Sequence, residues 1–467
     1  MPPATPEESK PAHPRWTLLA CILASSLSFV EGSVLNVALP AIRAGFGAGA
    51  SEVQWVVNAY LLPLSALLLL GGAVGDHYGR KRLLMLGTAL FGAASLLCAL
   101  APGLEWLLAG RVIQGIGAAL LLPNSLALLN ATFEGEERGR AIGIWAAVGA
   151  AAAAIAPLIG GWLVEHVGWP SIFYINLPLA AGAILLAWRF AAESRNEAAA
   201  RTDYPGAALA TLGLLGLTYG LTLWSVQLRF TPAVTGLLVA GVALLAAFLW
   251  IEARRGDKAM MPLAMFGNRC FVGTNLMTFL LYGAFGAVML LLPYVLIEAG
   301  HYSPLQAGLA LTPLAVIIAV LSPIMGRFAA RIGGRLPLTA GPIVVAAGLL
   351  LGQRIEAGGS YLAQVLPAVL VMASGMALAV APLTSTVLSS VDRKHSGTAS
   401  GLNSAVARTG GLIATALLGS VLAARGDALV GHFHTALLVS AAVCVAAGLT
   451  SWFTVAGSSQ GAKVAEA

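Results

Sequence analysis

The chain has 467 residues, of which 58% are hydrophobic and only 10% are charged, and its mean hydropathy is +0.85. These values lie far outside the range of soluble globular proteins and predict an integral membrane protein. The net charge of +6 is not evidence for nucleic-acid binding, because lysine and arginine also orient membrane helices and contact anionic lipid.

Long apolar runs recur along the whole chain, separated by charged or Gly/Pro-rich segments. A helix needs about 20 apolar residues to cross the hydrocarbon layer of a membrane. Fourteen runs meet this length and predict transmembrane helices 1 to 14 over residues 16–40, 53–73, 82–101, 105–130, 139–163, 169–190, 204–226, 233–252, 271–297, 305–326, 336–354, 361–389, 397–423 and 433–456. The first run is too long for a signal peptide and lacks a small-residue cleavage site, so we expect it to be retained.

The lysine and arginine residues predict the orientation of these helices. With the N-terminus in the cytoplasm, most of the 26 basic residues fall on the cytoplasmic side. Those left on the outer side are Arg43, Arg229, Arg354 and Arg425. Both termini are therefore expected in the cytoplasm, as tails over 1–15 and 457–467, with the chain in a bacterial cytoplasmic membrane.

Glu31 is the only acidic residue well inside a predicted span. A carboxylate there is costly, so it usually faces a polar cavity, a partner or a proton path. At about 1.5 Å per residue, it lies roughly 13 Å from the outer end of helix 1 at Pro40. By the same rise, Arg111 lies about 9 Å below Glu105 at the outer start of helix 4. The two charges are therefore predicted to share one layer of the N-terminal half.

A charged cluster joins the inner ends of helices 2 and 3. It comprises Gly72, Asp76, Gly79, Arg80, Lys81 and Arg82. The two glycines allow close backbone approach, and the carboxylate meets the basic residues at the membrane edge. We expect a cytoplasmic latch that holds two helices together in one state and releases them in another. Topology alone would explain the three basic residues, but neither Asp76 nor the glycine spacing.

Helix 5 carries Pro157, Gly160 and Gly161, which predict a soft and closely packed segment. Such a segment can serve as a hinge or as a seal. Ordinary helix packing is the alternative.

Several other side chains are candidates for a substrate cavity. The polar candidates within the spans are Asn58, Gln114, Asn124, Asn275 and Asn403. The alternative for each is a hydrogen bond to another helix, which is the more common role of such residues. On helix 9, an apolar wall comprises Phe279, Tyr282, Phe285 and Met289. The alternative is that these side chains lie in the core or face lipid. Arg408 in helix 13 has no acidic partner in a neighbouring span. Backbone carbonyls and an anionic ligand group both remain open as its partner.

No cofactor or metal site is expected. Four cysteines, Cys21, Cys98, Cys270 and Cys444, lie in or beside apolar helices without close spacing, which is typical of packing residues. The motif of a zinc protease, the nucleophile elbow of a hydrolase and the P-loop of an ATPase are all missing from the sequence. The sequence therefore favours neither an enzyme nor an ATP-driven pump.

Internal repetition predicts how the helices are grouped. The glycine spacing and basic end of the helix 2–3 loop recur after helix 10, and helices 5 and 13 share glycine and alanine positions. We therefore expect an all-α polytopic fold with six-helix halves over 16–190 and 271–456, joined by a linker over 191–270 with two extra helices. Repeated halves facing a site at the membrane midplane are typical of secondary transporters.

The stretch GAVGDHYGRKR at 72–82 resembles the cytoplasmic loop motif of the major facilitator superfamily. Further stretches resemble its fourteen-helix branch of drug:proton antiporters: VEGSVLNVALP (30–40), GRVIQGIGAALLLP (110–123), APLIGGWL (156–163), GWPSIFYINLP (168–178) and GLNSAVARTGG (401–411). Two departures are Glu31, where the branch usually has Asp, and alanines at Ala152 and Ala156, where the family prefers glycine.

The resemblance implies a proton-coupled exporter of lipophilic drugs or antibiotics that works by rocking of the two halves. In this family helices 1 and 4 line the central cavity, so Glu31 and Arg111 are expected to form a direct or water-bridged pair. A change in hydration or in their separation alters the affinity of a carboxylate for a proton, which makes Glu31 the expected proton carrier. The alternative is a static pair that only fixes helix packing.

Two other functions stay open, a proton-independent facilitator and a transporter of a non-drug metabolite with the same fold. Glu31 argues against the first. With one Glu and two Arg in the spans, neutral, weakly anionic or monovalent lipophilic antibiotics are the favoured substrates. The expected partners are such a small molecule, protons and membrane lipid. A monomer is expected, since the two-half fold is complete in one chain.

Overall fold

The computed structural model describes residues 13–195, 203–256, 259, 261–391 and 396–455. The predicted tails over 1–15 and 457–467 lie wholly or largely outside these residues, as do parts of the linker over 191–270. Within the described ranges the chain forms long helices and no β-strand.

Fourteen long helices match the fourteen predicted spans, which confirms the predicted fold class. We label them α1 to α14 in chain order: Pro14–Phe46, Ala50–Tyr78, Arg80–Ala99, Leu104–Thr132, Gly135–His166, Ser171–Phe190, Tyr204–Gln227, Pro232–Arg255, Arg269–Glu298, Pro304–Ala329, Arg335–Arg354, Tyr361–Ser389, Ser396–Ala416 and Gly426–Thr454. All except α13 are long and apolar enough to cross a membrane. Helix α13 has 21 residues but is rich in Ser, Thr and Gly.

The prediction for helix 13 is wrong at its outer end. It was expected to run over 397–423, but α13 ends at Ala416 and a short helix follows over Gly419–Ala423. Side chains from other helices bind the backbone groups freed by this break. The Gln54 amide of α2 donates to the carbonyls of Thr415 and Ala416 at 2.8 and 3.1 Å, and Ser225 of α7 accepts from the Gly419 N–H at 3.2 Å. Such partners offset the cost of burying unpaired backbone groups in a membrane.

The helices form two bundles and a hairpin. Helices α1–α6 pack among themselves, and so do α9–α14. The bundles meet where α5 contacts α10, α2 contacts α13 and α1 contacts α9. The extra helices α7 and α8 pack on each other, and α7 lies against α2 and α13 along one side of this interface.

The interface between the bundles is closed at only one end. With the orientation predicted from the basic residues, the closed end is the outer one, where α5 begins to pass α10 through backbone contacts near Gly161 and Gly308. At the cytoplasmic end of α5, a side chain added at Gly139 or Gly143 would meet no atom within 4 Å. With that orientation the open end faces the cytoplasm, which is the geometry of an inward-facing state.

Candidate functional site

Glu31 and Arg111 form an ion pair in the core of the N-terminal bundle, and each side chain is only 1% exposed. The Arg111 guanidinium donates to a Glu31 carboxylate oxygen, to the Gln114 side-chain oxygen at 2.8 Å and, through Nε, to the Val56 carbonyl at 3.0 Å. The other Glu31 oxygen accepts from the Asn176 amide at 2.9 Å. Partners from α1, α2, α4 and α6 thus converge on one buried pair, as buried charges require.

A second layer of side chains surrounds this pair. Ser95 accepts from the amides of Gln114 and Asn176 at 2.8 and 3.3 Å. The Arg111 guanidinium lies 4.6 Å from the centre of the Tyr60 ring, and the Tyr60 hydroxyl hydrogen-bonds Ser28 at 2.7 Å. Because this layer covers the pair, neither Glu31 nor Arg111 lines an open cavity in this state.

Asn176 and Tyr60 were missed when the sequence was read alone. Asn176 lies within the quoted stretch GWPSIFYINLP, so a signal existed, but nothing in the spacing says that it faces helix 1. Its role depends on α6 packing against α1 and α3.

The predicted charged cluster between α2 and α3 contains an ion pair between Asp76 and Arg80, and it is completed by Glu193, which was not predicted. Arg80 donates to Asp76 at 2.8 Å through Nε and pairs with it at 2.7 Å through Nη2. Gly79 has φ +114°, and a Cβ there would lie 2.7 Å from the Glu193 carboxyl carbon, so only glycine fits. Gly72 has no such close approach, since a Cβ there would make an ordinary contact with Pro123.

Glu193, which follows α6 and was not predicted, binds the start of α3. Its carboxylate accepts from the backbone N–H groups of Lys81 and Arg82 at 2.9 and 3.2 Å. Lys81 Nζ donates to the carbonyls of Ala191 and Trp188 at 2.8 and 3.0 Å. The hydrogen bonds and ion pairs that the structure describes for this cluster all lie in the N-terminal bundle. In this state the cluster therefore does not bridge the two bundles.

The predicted hinge or seal in α5 lies at the outer contact with α10. A Cβ at Gly161 would lie 2.3 Å from the Pro304 carbonyl oxygen, and one at Gly308 would lie 2.2 Å from that of Pro157. Gly160 faces α1, where a Cβ would lie 3.1 Å from Val34. The two helix backbones touch here, which closes the gap between the bundles at this point, and we call this contact the outer seal.

Arg43 joins the two bundles through polar contacts at the outer end, and Arg425 adds contacts within the C-terminal bundle. Arg43, at the end of α1, donates to the Tyr294 hydroxyl of α9 and to the Leu422 carbonyl at 2.7 Å. Arg425 donates to the same hydroxyl at 3.1 Å and pairs with Glu298 at 3.8 Å. The sequence indicated Arg43 and Arg425 only as basic residues on the outer side, because charges at helix ends are normally solvated.

The predicted polar cavity residues mostly serve helix packing in this state. Asn58, Gln114 and Asn124 are fully buried in the N-terminal bundle, and Asn124 donates to backbone carbonyls of α2 and α4 at 2.9 and 2.7 Å. Asn403 of α13 donates to the Asn275 side-chain oxygen at 3.2 Å, which joins α13 to α9. Gln114 and Asn124 are therefore occupied by contacts inside the N-terminal bundle, whereas the Asn58 amide has no hydrogen-bond partner among the described residues.

The predicted apolar wall on α9 is divided between two faces of the helix. Phe279 lines a cavity of about 340 Å³ between α9, α13 and α14, bordered by Leu417 and Val439 on the outside of the bundle. Tyr282, Phe285 and Met289 do not line this cavity, and they share a neighbouring face of α9 because they are three and four residues apart. They are partly buried. Only these three can therefore belong to a central apolar surface.

Arg408 is partly buried in α13, the helix that packs against α2 of the N-terminal bundle. Among the residues that the structure describes, Arg408 has no acidic partner and no hydrogen-bond partner. A small cavity of about 110 Å³ lies nearer the cytoplasmic end of α13, lined by polar residues that include Asn403 and Ser404.

Comparison with known proteins matches this architecture. The sequence profile of the Major Facilitator Superfamily matches residues 21–268 and 274–466. The Multidrug resistance protein Stp of Mycobacterium tuberculosis (strain CDC 1551 / Oshkosh) is 36% identical over 410 residues, covering 87% of this chain and 76% of that protein. The Puromycin resistance protein pur8 of Streptomyces alboniger is 36% identical over 432 residues, covering 90% and 84%. The solved structure of the POT family transporter PepTSo is similar in fold, with a TM-score of 0.69 at 14% identity, covering 94% and 97%.

Proposed function

This chain belongs to the major facilitator superfamily of membrane transporters, and we propose that within it the protein is a proton-coupled exporter of lipophilic drugs or antibiotics. Its relatives are named for multidrug and antibiotic resistance, and one of them for the resistance and export of tetracenomycin C. We propose that it acts as a monomer in the bacterial cytoplasmic membrane, with both termini in the cytoplasm. The proton gradient drives it, without a cofactor.

The observation that carries this proposal is the Glu31–Arg111 pair. It lies deep within the spans of α1 and α4, where a carboxylate is rare and is usually functional. Protonation of Glu31 would remove one charge of the pair and leave Arg111 without its anionic partner. The free energy of the surrounding packing therefore depends on the protonation state of Glu31, as a proton-driven conformational change requires.

The inward-facing state is consistent with protons that move inward while substrate moves outward. An inward-facing exporter has delivered its proton to the cytoplasm and awaits substrate, so its carrier carboxylate is expected to be ionised and paired. One inward proton supplies about 2.3 kcal/mol per 100 mV of membrane potential and about 1.4 kcal/mol per pH unit. With both present, one proton supports a substrate gradient of several hundredfold.

The test is proton movement in proteoliposomes that contain a pH-sensitive dye. A panel of lipophilic antibiotics, puromycin among them, is added to wild type, to Glu31→Gln and to the control Glu105→Gln, which changes an exposed carboxylate at the start of α4. We expect substrate-dependent proton movement in wild type and in the control. The Glu31→Gln variant should fold and move neither protons nor substrate against a gradient.

Each alternative gives a different result in this assay. If Glu31→Gln still couples substrate to protons, Glu31 belongs to a static pair and another group carries the proton. If wild type moves substrate only down its gradient, and without protons, the protein is a facilitator. If wild type transports none of the antibiotics, the drug-export part of the proposal is wrong.

A further inference from the structure

Arg408 is a charge without a counter-charge in the middle of the membrane. It lies eight residues from the end of α13 at Ala416, or about 12 Å from that end. An ionised side chain at this depth is expensive unless an anion or several hydrogen bonds compensate it. The described part of the chain supplies neither, whereas Arg111 at a similar depth has a complete set of partners.

The charge of Arg408 is uncompensated among the described residues, because the buried carboxylate well inside the spans already has its partners. Helix α2 packs against α13, and its Tyr60 ring lies 4.6 Å from the Arg111 guanidinium. Glu31, the acidic residue well inside the spans, is already bound by Arg111 and Asn176. The region near Arg408 therefore lacks an anion that the protein could supply without breaking the Glu31–Arg111 pair.

Polar side chains line α13 between Arg408 and the start of this helix. Ser400, Ser404 and Arg408 are four residues apart, so they share one face of α13. Ser404 is exposed, and Ser400 and Ser404 line the cavity of about 110 Å³ together with Thr384 of α12. The guanidinium nitrogens of Arg408 have no hydrogen-bond partner among the described residues, but they are not fully buried. They therefore keep some solvent-accessible surface.

An apolar surface lies at the same level. A Cβ on Gly283 of α9 would lie 3.2 Å from the Gly410 carbonyl oxygen, two residues after Arg408. Tyr282 and Phe285 lie beside Gly283 on α9, and both are partly buried. A molecule with an apolar body and one negative group would therefore meet both kinds of surface here.

We propose that Arg408 is a substrate-binding residue that recognises the anionic group, a carboxylate or phenolate, of a lipophilic substrate. This inference deepens the proposed export function and rests on it. The guanidinium presents a planar fork of donors that suits a carboxylate. The substrate supplies the missing counter-charge, so an anionic compound binds more tightly than its neutral analogue of the same shape.

Three fluorescent probes with one apolar group test the proposal by binding to purified protein: dansylglycine, its neutral amide and the cationic dansyl-ethylenediamine. Wild type should prefer dansylglycine to the amide by roughly 10- to 100-fold, the range of a charge-assisted hydrogen bond. Arg408→Gln should lose this preference and bind the amide as wild type does. Arg229→Gln, which removes an exposed positive charge in the α7–α8 loop, should keep it.

Two results would overturn the assignment of Arg408. One is a wild type that does not prefer the carboxylate, and the other is a folded Arg408→Gln variant that still prefers it. If that variant does not fold, phenylglyoxal labelling of wild type decides. Dansylglycine, but not its amide, should protect Arg408 from modification in mass spectra, with Arg229 as the unprotected reference. Equal labelling of Arg408 with both probes contradicts the proposal.

The same probes separate this inference from the proposed function. If proteoliposomes of wild type do not couple any probe to proton movement, proton-driven export is wrong, whatever the binding preference. If export is coupled but cation and anion are transported alike in wild type and Arg408→Gln, export stands and the role of Arg408 is wrong.

Discussion

A single methyl group at the contact between α5 and α10 is expected to open the outer seal. In Gly308→Ala, the new Cβ would lie 2.2 Å from the Pro157 carbonyl oxygen and 3.2 Å from the Leu158 Cα. The first distance is more than 1 Å shorter than an ordinary contact between nonbonded atoms. Both neighbours are backbone atoms, so the helices must separate.

The cost falls on only one of the two states. Overpacking of this kind costs about 1–3 kcal/mol, and it applies to the inward-facing state, in which α5 touches α10. An outward-facing state with these helices apart does not carry it. The equilibrium should therefore shift toward the outward-facing state by roughly 5- to 150-fold.

Pulsed electron paramagnetic resonance in reconstituted membranes measures this shift. Spin labels at Val167 and Ala428, which are exposed at the outer end of the two bundles, report the distance between them in a cysteine-free background. Gly308→Ala should add or enlarge a population at longer distance. The matched control is Gly143→Ala, whose methyl would meet no atom within 4 Å, and it should leave the distance unchanged.

The reasoning is refuted if folded Gly308→Ala gives the same distance distribution as wild type. A second variant guards against a local failure to fold. In Gly161→Ala the clash falls on the Pro304 carbonyl oxygen at 2.3 Å, from the opposite helix, and the same shift is expected. No shift in either variant would mean that another contact closes the outer end.

Three further predictions concern contacts that the sequence did not reveal. Tyr294→Phe removes the hydroxyl that accepts from Arg43, and should move the same distance distribution outward by roughly tenfold in population; an unchanged distribution contradicts this. Gln54→Leu leaves carbonyls at the end of α13 unpaired, at a cost of about 1–3 kcal/mol, and should lower the thermal unfolding midpoint; an equal or higher midpoint would show that the carbonyls find other partners. Glu193→Gln weakens an exposed cluster, so the midpoint should fall by no more than about 2 °C, and a larger drop would refute that view.

The fourteen helices could be predicted because the property that defines them is local. A membrane requires each span to be long and apolar, and this can be read from consecutive residues without knowing their neighbours. The layer shared by Glu31 and Arg111 was predictable for a similar reason, since the rise of a helix converts residue number into depth. The break after Ala416 was missed because that run stays apolar through it, and the partners of the break come from other helices.

The direction in which each side chain points was decided only by tertiary structure. Depth alone did not say that Glu31 faces Asn176 inside the N-terminal bundle instead of the cavity, or that Glu193 binds the start of α3. Nor did it say that Phe279 and Tyr282 lie on different faces of α9. A helix offers side chains in every direction around its axis, and the lipid, cavity or protein that each one meets depends on which helices pack beside it.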